Sequence, residues 1–186
     1  MRRALILTVL LTALAGCGTT RTTTSRTTST SAAARTITSA TRTATTPPCA
    51  YRRFRDGAIT PSPACAPGAT DAHAAAHPHE TICVAGYASS ARLRERDAER
   101  IKLALLDSYQ ATEPSASYVL DQLVAIEDGG SPTDPRNLWP QPIAQAKQKD
   151  AIEHYLHRQI CAGKVTVQQA ARQLEGDWLA ADTEHH

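Results

Sequence analysis

The clearest pattern of apolar and polar positions lies in the C-terminal third of the chain. From Gln145 onward, Ile152, Tyr155, Leu156 and Ile160 recur at i, i+3, i+4 and i+8, which is one face of a helix. Gly163 is a suitable C-terminal stop for it. Thr166 with Gln169 three residues on reads as a capping box. Val167, Ala170, Ala171, Leu174 and Trp178 then form the apolar stripe of a further helix. Upstream, Asp97–Tyr109 is a helix candidate with Ile101, Leu105 and Ser108 on one face. Extended structure is expected for Thr81–Val84, a short β-branched run that ends at Gly86, and for Tyr118–Ile126, read as one strand. A turn at Asp128–Ser131 separates the latter from a second extended stretch at Asn137–Pro140. Residues 66–80, with Pro67 and Gly68, read as loop. This mixture predicts an α+β fold, with a hairpin and a following helix at its centre and further helices around them.

The rest of the chain is different in kind. Arg2 and Arg3 precede an apolar run from Ala4 to Ala15. That run is shorter than the roughly 20 residues a membrane span needs and suits the apolar region of a signal peptide. It ends in Leu14, Ala15, Gly16 and Cys17. Residues 18–48 hold 14 Thr and 4 Ser with arginine as the sole charge type. Such a stretch buries too little apolar surface to offset chain entropy and is expected to be a disordered tether. Extended to residue 65, it carries seven arginines against Asp56, and loose attraction to anionic headgroups competes with a plain solvated spacer. The expected organisation is therefore a signal segment over residues 1–16, a tether over 17–65 and a folded domain over 66–186. The domain has 121 residues and six aromatics, so its core is expected to be mostly aliphatic.

Of the five cysteines, Cys17 belongs to the signal boundary and four remain. An even number in an exported chain points to disulfides, and four cysteines allow three pairings. The favoured one is a local Cys49–Cys65 loop with a long-range Cys83–Cys161 staple. No two cysteines stand in a C-x-x-C spacing, which argues against a zinc ribbon or a thioredoxin-like site.

Two resemblances follow from these motifs. Leu14-Ala15-Gly16-Cys17 resembles the bacterial lipobox. The resemblance implies that Cys17 is lipidated and anchors the chain in a membrane, and Gly18 in place of Asp favours the outer membrane where a cell has two. The second is carried by Tyr118–Gly130 (with Asp121, Gln122 and Glu127), Asp134–Pro140 (with Asn137, Leu138 and Trp139) and Lys149, Asp150 and Glu153, followed by Leu156, His157 and Cys161. Thr81–Val84, Gly86, Tyr87 and Pro67–Ala69 add to it. This order resembles the exported bacterial branch of the HNH nuclease-like, or His-Me finger, proteins over residues 66–178. It implies a ββα core and metal-dependent phosphodiester hydrolysis, in which an ion stabilises the leaving oxygen and a histidine acts as general base.

Carried over by position, that chemistry is broken. Asp121 stands at the metal-ligand position, but Gln122 stands at the base position, and an amide accepts no proton at useful pH. Asn137 is present as the residue bracing the hairpin loop. The ligand position at the helix start falls near Ala146 or Lys147, and neither offers a lone pair to an ion. Lys147 is expected to pair with Asp121 where the ion once sat. Residues 66–186 also carry 11 basic against 17 acidic residues, and a net-acidic domain repels nucleic acid.

The expected function is that of a lipid-anchored envelope protein whose HNH-like domain binds a partner, of identity unknown, or serves a structural role without needing a cofactor. The alternative is an active exported endonuclease acting on DNA or RNA, using Mg²⁺ or Zn²⁺ and a recruited base such as Glu127 or a histidine of the 73–79 segment. A third reading is metal capture by His73, His77 and His79, which needs a fixed scaffold that a loop does not supply. His154 and His157 read as solvent-facing or bracing residues, and Glu127 as a hairpin brace with Asp128 on the opposite strand face. Trp139 and Trp178 read as core or lid, and Arg92, Arg94 and Arg96 as a solvated helix face.

Overall fold

A computed structural model describes residues 48–180. The signal segment, Cys17, the Thr/Ser-rich stretch through residue 47 and the terminal His185-His186 lie outside the described residues.

The fold is mixed α+β, with two small antiparallel hairpin sheets and five helices among the described residues. The first sheet pairs β1 (Tyr51–Arg53) with β2 (Ile59–Pro61). Two short helices follow, α1 (Ala72–Ala76) and α2 (Tyr87–Ala91), and then the longer α3 (Glu95–Ser108). The second sheet pairs β3 (Tyr118–Gln122) with β4 (Leu138–Pro142). Helix α4 (Ile143–Cys161) starts directly at the end of β4, and α5 (Val167–Glu175) completes the order.

Helices α4 and α5 form where the periodicity places them. Ile152, Leu156 and Ile160 of α4 meet Val167, Ala170, Ala171 and Leu174 of α5 in one buried cluster with Trp178, Val124, Ile82, Ala74 and Ala58. Thr166 caps α5 by accepting from the Gln169 amide, and the Gln169 side chain returns the bond to the Thr166 N–H. Gly163 ends the preceding turn at φ +69°, a left-handed conformation that glycine adopts without penalty. A second cluster joins Ile59, Ala66, Tyr109, Leu123 and Trp139. Aliphatic side chains dominate the larger cluster, as the shortage of aromatics requires.

Four expectations are corrected. Residues 49–65 are not tether. They fold into the β1–β2 hairpin, closed by the Cys49–Cys65 disulfide, and bury Ala58, Ile59 and Thr60. The Trp178 indole N–H donates to the Ile59 carbonyl at 3.1 Å, which ties this hairpin to the far end of the chain. Residues 66–80 contain α1 and a 3-10 turn at Pro78–Glu80 rather than loop alone. Thr81–Val84 is a turn, not a strand: it buries Ile82 and delivers Cys83 to Cys161. Tyr118–Ile126 is not one strand. Pairing stops at Gln122, and Ile126–Asp128 coils into a 3-10 turn capped by Gly129 at φ +87°.

Both disulfides join the expected partners, Cys49–Cys65 and Cys83–Cys161. Two such bonds are characteristic of chains that mature in an oxidising compartment. Among the described residues, no helix is long and apolar enough to cross a membrane.

Candidate functional site

The β3–β4 hairpin sets Asp121 directly opposite Trp139 and Gln122 opposite Leu138. Facing residues on paired strands lie close enough for their side chains to meet. The fully buried Trp139 accordingly donates its indole N–H to Asp121 Oδ2 at 2.7 Å.

The loop joining the strands is held from inside by Asn137. Its amide nitrogen donates to the carbonyls of Val124 and Ser131, both at 2.9 Å. Its oxygen accepts from the Val124 N–H at 2.9 Å and the Ala69 N–H at 3.3 Å. A buried asparagine that satisfies all its bonding groups on backbone partners fixes the path of every segment it touches. Asn137 thus braces the loop between the two strands.

Helix α4 lies against the hairpin and supplies a cation. Lys149 is fully buried, with Nζ 2.8 Å from Asp121 Oδ2 and 3.0 Å from the Gln122 carbonyl, and it also pairs with Glu153 one turn on. The expected partner of Asp121, Lys147, is exposed. Helical phase explains the correction. Lys149 shares the inward stripe of Ile152 and Leu156, whereas a residue two positions earlier is turned by roughly 200° to the solvent side.

The electrostatics follow from burial. Lys149 stays protonated: burial alone would lower its pKa, but the charges of Asp121 and Glu153 and their hydrogen bonds raise it above the ordinary lysine value. Burial raises the Asp121 carboxyl, opposed by Lys149 and by the Trp139 hydrogen bond. Burial also pushes Glu153 up to about 7. Asp128, fully buried behind the loop, is raised well above its ordinary value by burial first and then by Glu153 and Glu127.

A metal ion of the kind the resemblance implies does not fit these residues. Asp121 Oδ2 is already engaged by an indole N–H and an ammonium. Ala146 offers no ligating atom, and a second cation beside Lys149 would be repelled. Among the described residues, no group of three or more His, Cys, Asp or Glu side chains is arranged to hold a metal.

Beside the hairpin lies a cavity of about 360 Å³ whose polar lining includes Arg92, Gln122, Glu127, Asp150, Glu153 and His154. Gln122 is half-buried in its wall. Arg92 and Glu127 also line a neighbouring depression of about 610 Å³ together with Tyr87 and His157. Glu127 is central to both. Its carboxylate pairs with His154 Nδ1, and its carbonyl accepts from His157 Nδ1 at 2.8 Å. Glu127 and Asp128 do not alternate across a strand, since both sit in the 3-10 turn. Arg92, Arg94 and Arg96 are all exposed, but they do not share a helix face: Arg92 and Arg94 stand between α2 and α3, and Arg96 alone of the three is helical. Trp139 and Trp178 are core residues.

His73 on α1 and His77 at its C-cap stand side by side, ring centroids 5.0 Å apart, well removed in sequence from the hairpin. Sequence reasoning missed the Glu127–His154 pair, whose members are 27 residues apart. It also missed the role of Lys149, although the stripe of Ile152 and Leu156 extends back to that position.

No family model matches the chain, and neither a curated protein nor a solved structure matches it.

Proposed function

We propose that this chain is a lipid-anchored envelope protein whose folded part is an HNH-like domain that binds a partner without cutting nucleic acid. The observation that carries this reading is Gln122, an amide half-buried in the cavity wall at the base position, beside an Asp121 carboxylate that pairs with the buried Lys149 ammonium at 2.8 Å. In the nuclease chemistry such a carboxylate holds a divalent ion that stabilises the leaving oxygen. Here the Lys149 ammonium and the Trp139 indole N–H occupy Oδ2 of that carboxylate, which itself lines the cavity. Gln122, in the cavity wall at the base position, removes the second requirement. The mixed polar cavity over Arg92, Glu127 and His154 is the surface on which a partner would be read. The anchor rests on Leu14–Cys17 and the apolar run before it.

One observation favours the alternative of an active enzyme. His154, oriented through Nδ1 by Glu127, lines the same cavity as Gln122. A carboxylate-oriented imidazole is an arrangement that serves as a general base.

Incubating the full chain with plasmid DNA and with RNA, in Mg²⁺, Mn²⁺ or Zn²⁺, separates the two. No cleavage is expected of the natural chain, and cleavage gained in Gln122→His would pin the loss on the base position alone. Cleavage by the natural chain that disappears in Asp121→Asn would overturn the silent reading. Cleavage that disappears in His154→Ala would establish the alternative. Incorporation of a labelled lipid precursor at Cys17, lost in Cys17→Ser, tests the anchor.

A further inference from the structure

We propose that His73 and His77 form a two-imidazole site for a late divalent transition metal, taking Cu²⁺ in preference to Zn²⁺. The site is separate from the hairpin and independent of the reading of Asp121.

The pair is spaced by secondary structure. Asp71 caps α1 by accepting from the Ala74 N–H at 2.9 Å, and the His77 N–H donates to the His73 carbonyl at 2.9 Å, closing a helical turn. His73 lies within α1 and His77 is its C-cap, at φ −130° and ψ 57°, so this bond sets the second ring beside the first at the end of the helix. Ala74, between them, is fully buried in the main core cluster and anchors α1 from below. The next turn leads to Cys83, which is fixed to α4 by its disulfide. The two rings therefore stand on a held scaffold, and the helix supplies what a loop would lack.

The distance suits chelation. An imidazole nitrogen binds such an ion at about 2.0–2.1 Å, so two rings sharing one ion at a right or tetrahedral angle have centroids about 5 Å apart. The observed separation is 5.0 Å, with the planes at 43°. Both histidines are exposed, so water can complete the coordination sphere. The Glu80 carboxylate lies 3.8 Å from His77 Nδ1 and adds negative charge at the same place. Two nitrogen donors and open water positions favour Cu²⁺ over Zn²⁺ by the usual order of affinities. His79, on the separate 3-10 turn, makes no ring contact with either imidazole among the described residues.

The test is titration of the full chain, purified without a histidine tag, with Cu²⁺ and separately with Zn²⁺. Calorimetry gives the affinity and stoichiometry, and electron paramagnetic resonance of the Cu²⁺ form reads the nitrogen ligands. One tight equivalent of Cu²⁺ is expected, with two imidazole nitrogens in the spectrum. His73→Ala and His77→Ala each weaken it at least about tenfold, since each removes half of the protein ligands. His73→Ala places a good helix former on an exposed face, His77→Ala changes an exposed cap residue, and circular dichroism confirms that the fold is retained in both. His79→Ala and the double variant His185→Ala/His186→Ala leave binding within about twofold. Unchanged affinity in His73→Ala and His77→Ala, or binding abolished by the His185→Ala/His186→Ala variant instead, overturns the proposal. So does the absence of imidazole coupling in the spectrum.

Discussion

Lys149 and Asp121 meet at 2.8 Å between α4 and β3, with the lysine side chain wholly excluded from solvent. Removing one member of a buried ion pair leaves an uncompensated charge and destabilises by about 3–5 kcal/mol. Lys149→Ala is therefore expected to lower stability by about that amount in chemical denaturation. Lys149→Met combined with Asp121→Asn and Glu153→Gln, which removes the charges together, is expected to recover a substantial part of it. A Lys149→Ala variant as stable as the natural chain would show that the pair does not hold the helix on the hairpin.

The same pair marks the boundary of what the chain discloses before folding. Positions whose role follows from local periodicity were legible: the capping box at Thr166 and Gln169, the stripe from Val167 to Trp178, and the inward face of α4. Lys149 was assignable in principle, because a lysine in register with Ile152 and Leu156 has to be buried. Spacing from Asn137 points instead to Lys147, two positions off that inward stripe and exposed. The β1–β2 hairpin was hidden by composition. Its arginines read as tether, while its buried positions, Ala58, Ile59 and Thr60, are few and two of them pack on residues far downstream, Ala58 in the cluster of α4, α5 and Trp178 and Ile59 with Leu123 and Trp139. Glu127 with His154 was not legible at all, since nothing local brings them together.

Asn137 serves as the hub of the hairpin loop through four hydrogen bonds to backbone groups. Each bond contributes about 1 kcal/mol, and stranding buried partners costs about 1–3 kcal/mol more. Asn137→Ala is expected to destabilise by about 4 kcal/mol or more. Asn137→Asp is expected to be no better, because an acceptor would then face the carbonyls of Val124 and Ser131. Denaturant unfolding of both variants checks this, and an Asn137→Asp variant of natural stability would refute it.

Gly130 and Gly163 are expected to respond very differently to a methyl group. A Cβ on Gly130 would lie 1.8 Å from the Val124 carbonyl oxygen, a backbone clash that can be relieved only by moving the loop. Gly163 faces open space but has φ +69°. Gly163→Ala is expected to cost about 1–2 kcal/mol for the left-handed conformation, and Gly130→Ala distinctly more. Equal losses would show that the close approach at Gly130 is not a constraint.

The two disulfides close loops of different length, with cysteines 16 and 78 positions apart. The chain-entropy account assigns about 3 kcal/mol to the shorter and about 4 kcal/mol to the longer. Cys83→Ala/Cys161→Ala is thus expected to lower the unfolding midpoint more than Cys49→Ala/Cys65→Ala. The longer bond also holds the segment after α1 against α4, so its loss is expected to raise hydrogen exchange in residues 72–91. Equal midpoints in the two double variants would contradict the ordering.

The buried carboxyls give stability a definite dependence on pH. Glu153 is pushed up to about 7 by burial, from an ordinary value of 4.5, although Lys149 pulls it down. Between those two values the folded chain retains a proton that the unfolded chain has released. Stability therefore falls as pH rises through this window, by at most about 1.4 kcal/mol per pH unit for this group, and levels off above it. Asp128, raised well above 3.8, acts in the same direction. Denaturant unfolding is expected to show a more stable domain at pH 5 than at pH 8. Glu153→Gln removes the titrating group and is expected to flatten the slope near neutrality, and Asp128→Asn to flatten it further. A stability that rises from pH 5 to pH 8 would mean that Glu153 is ionised beside Lys149 throughout, and the three-group cluster would then be a fully charged one.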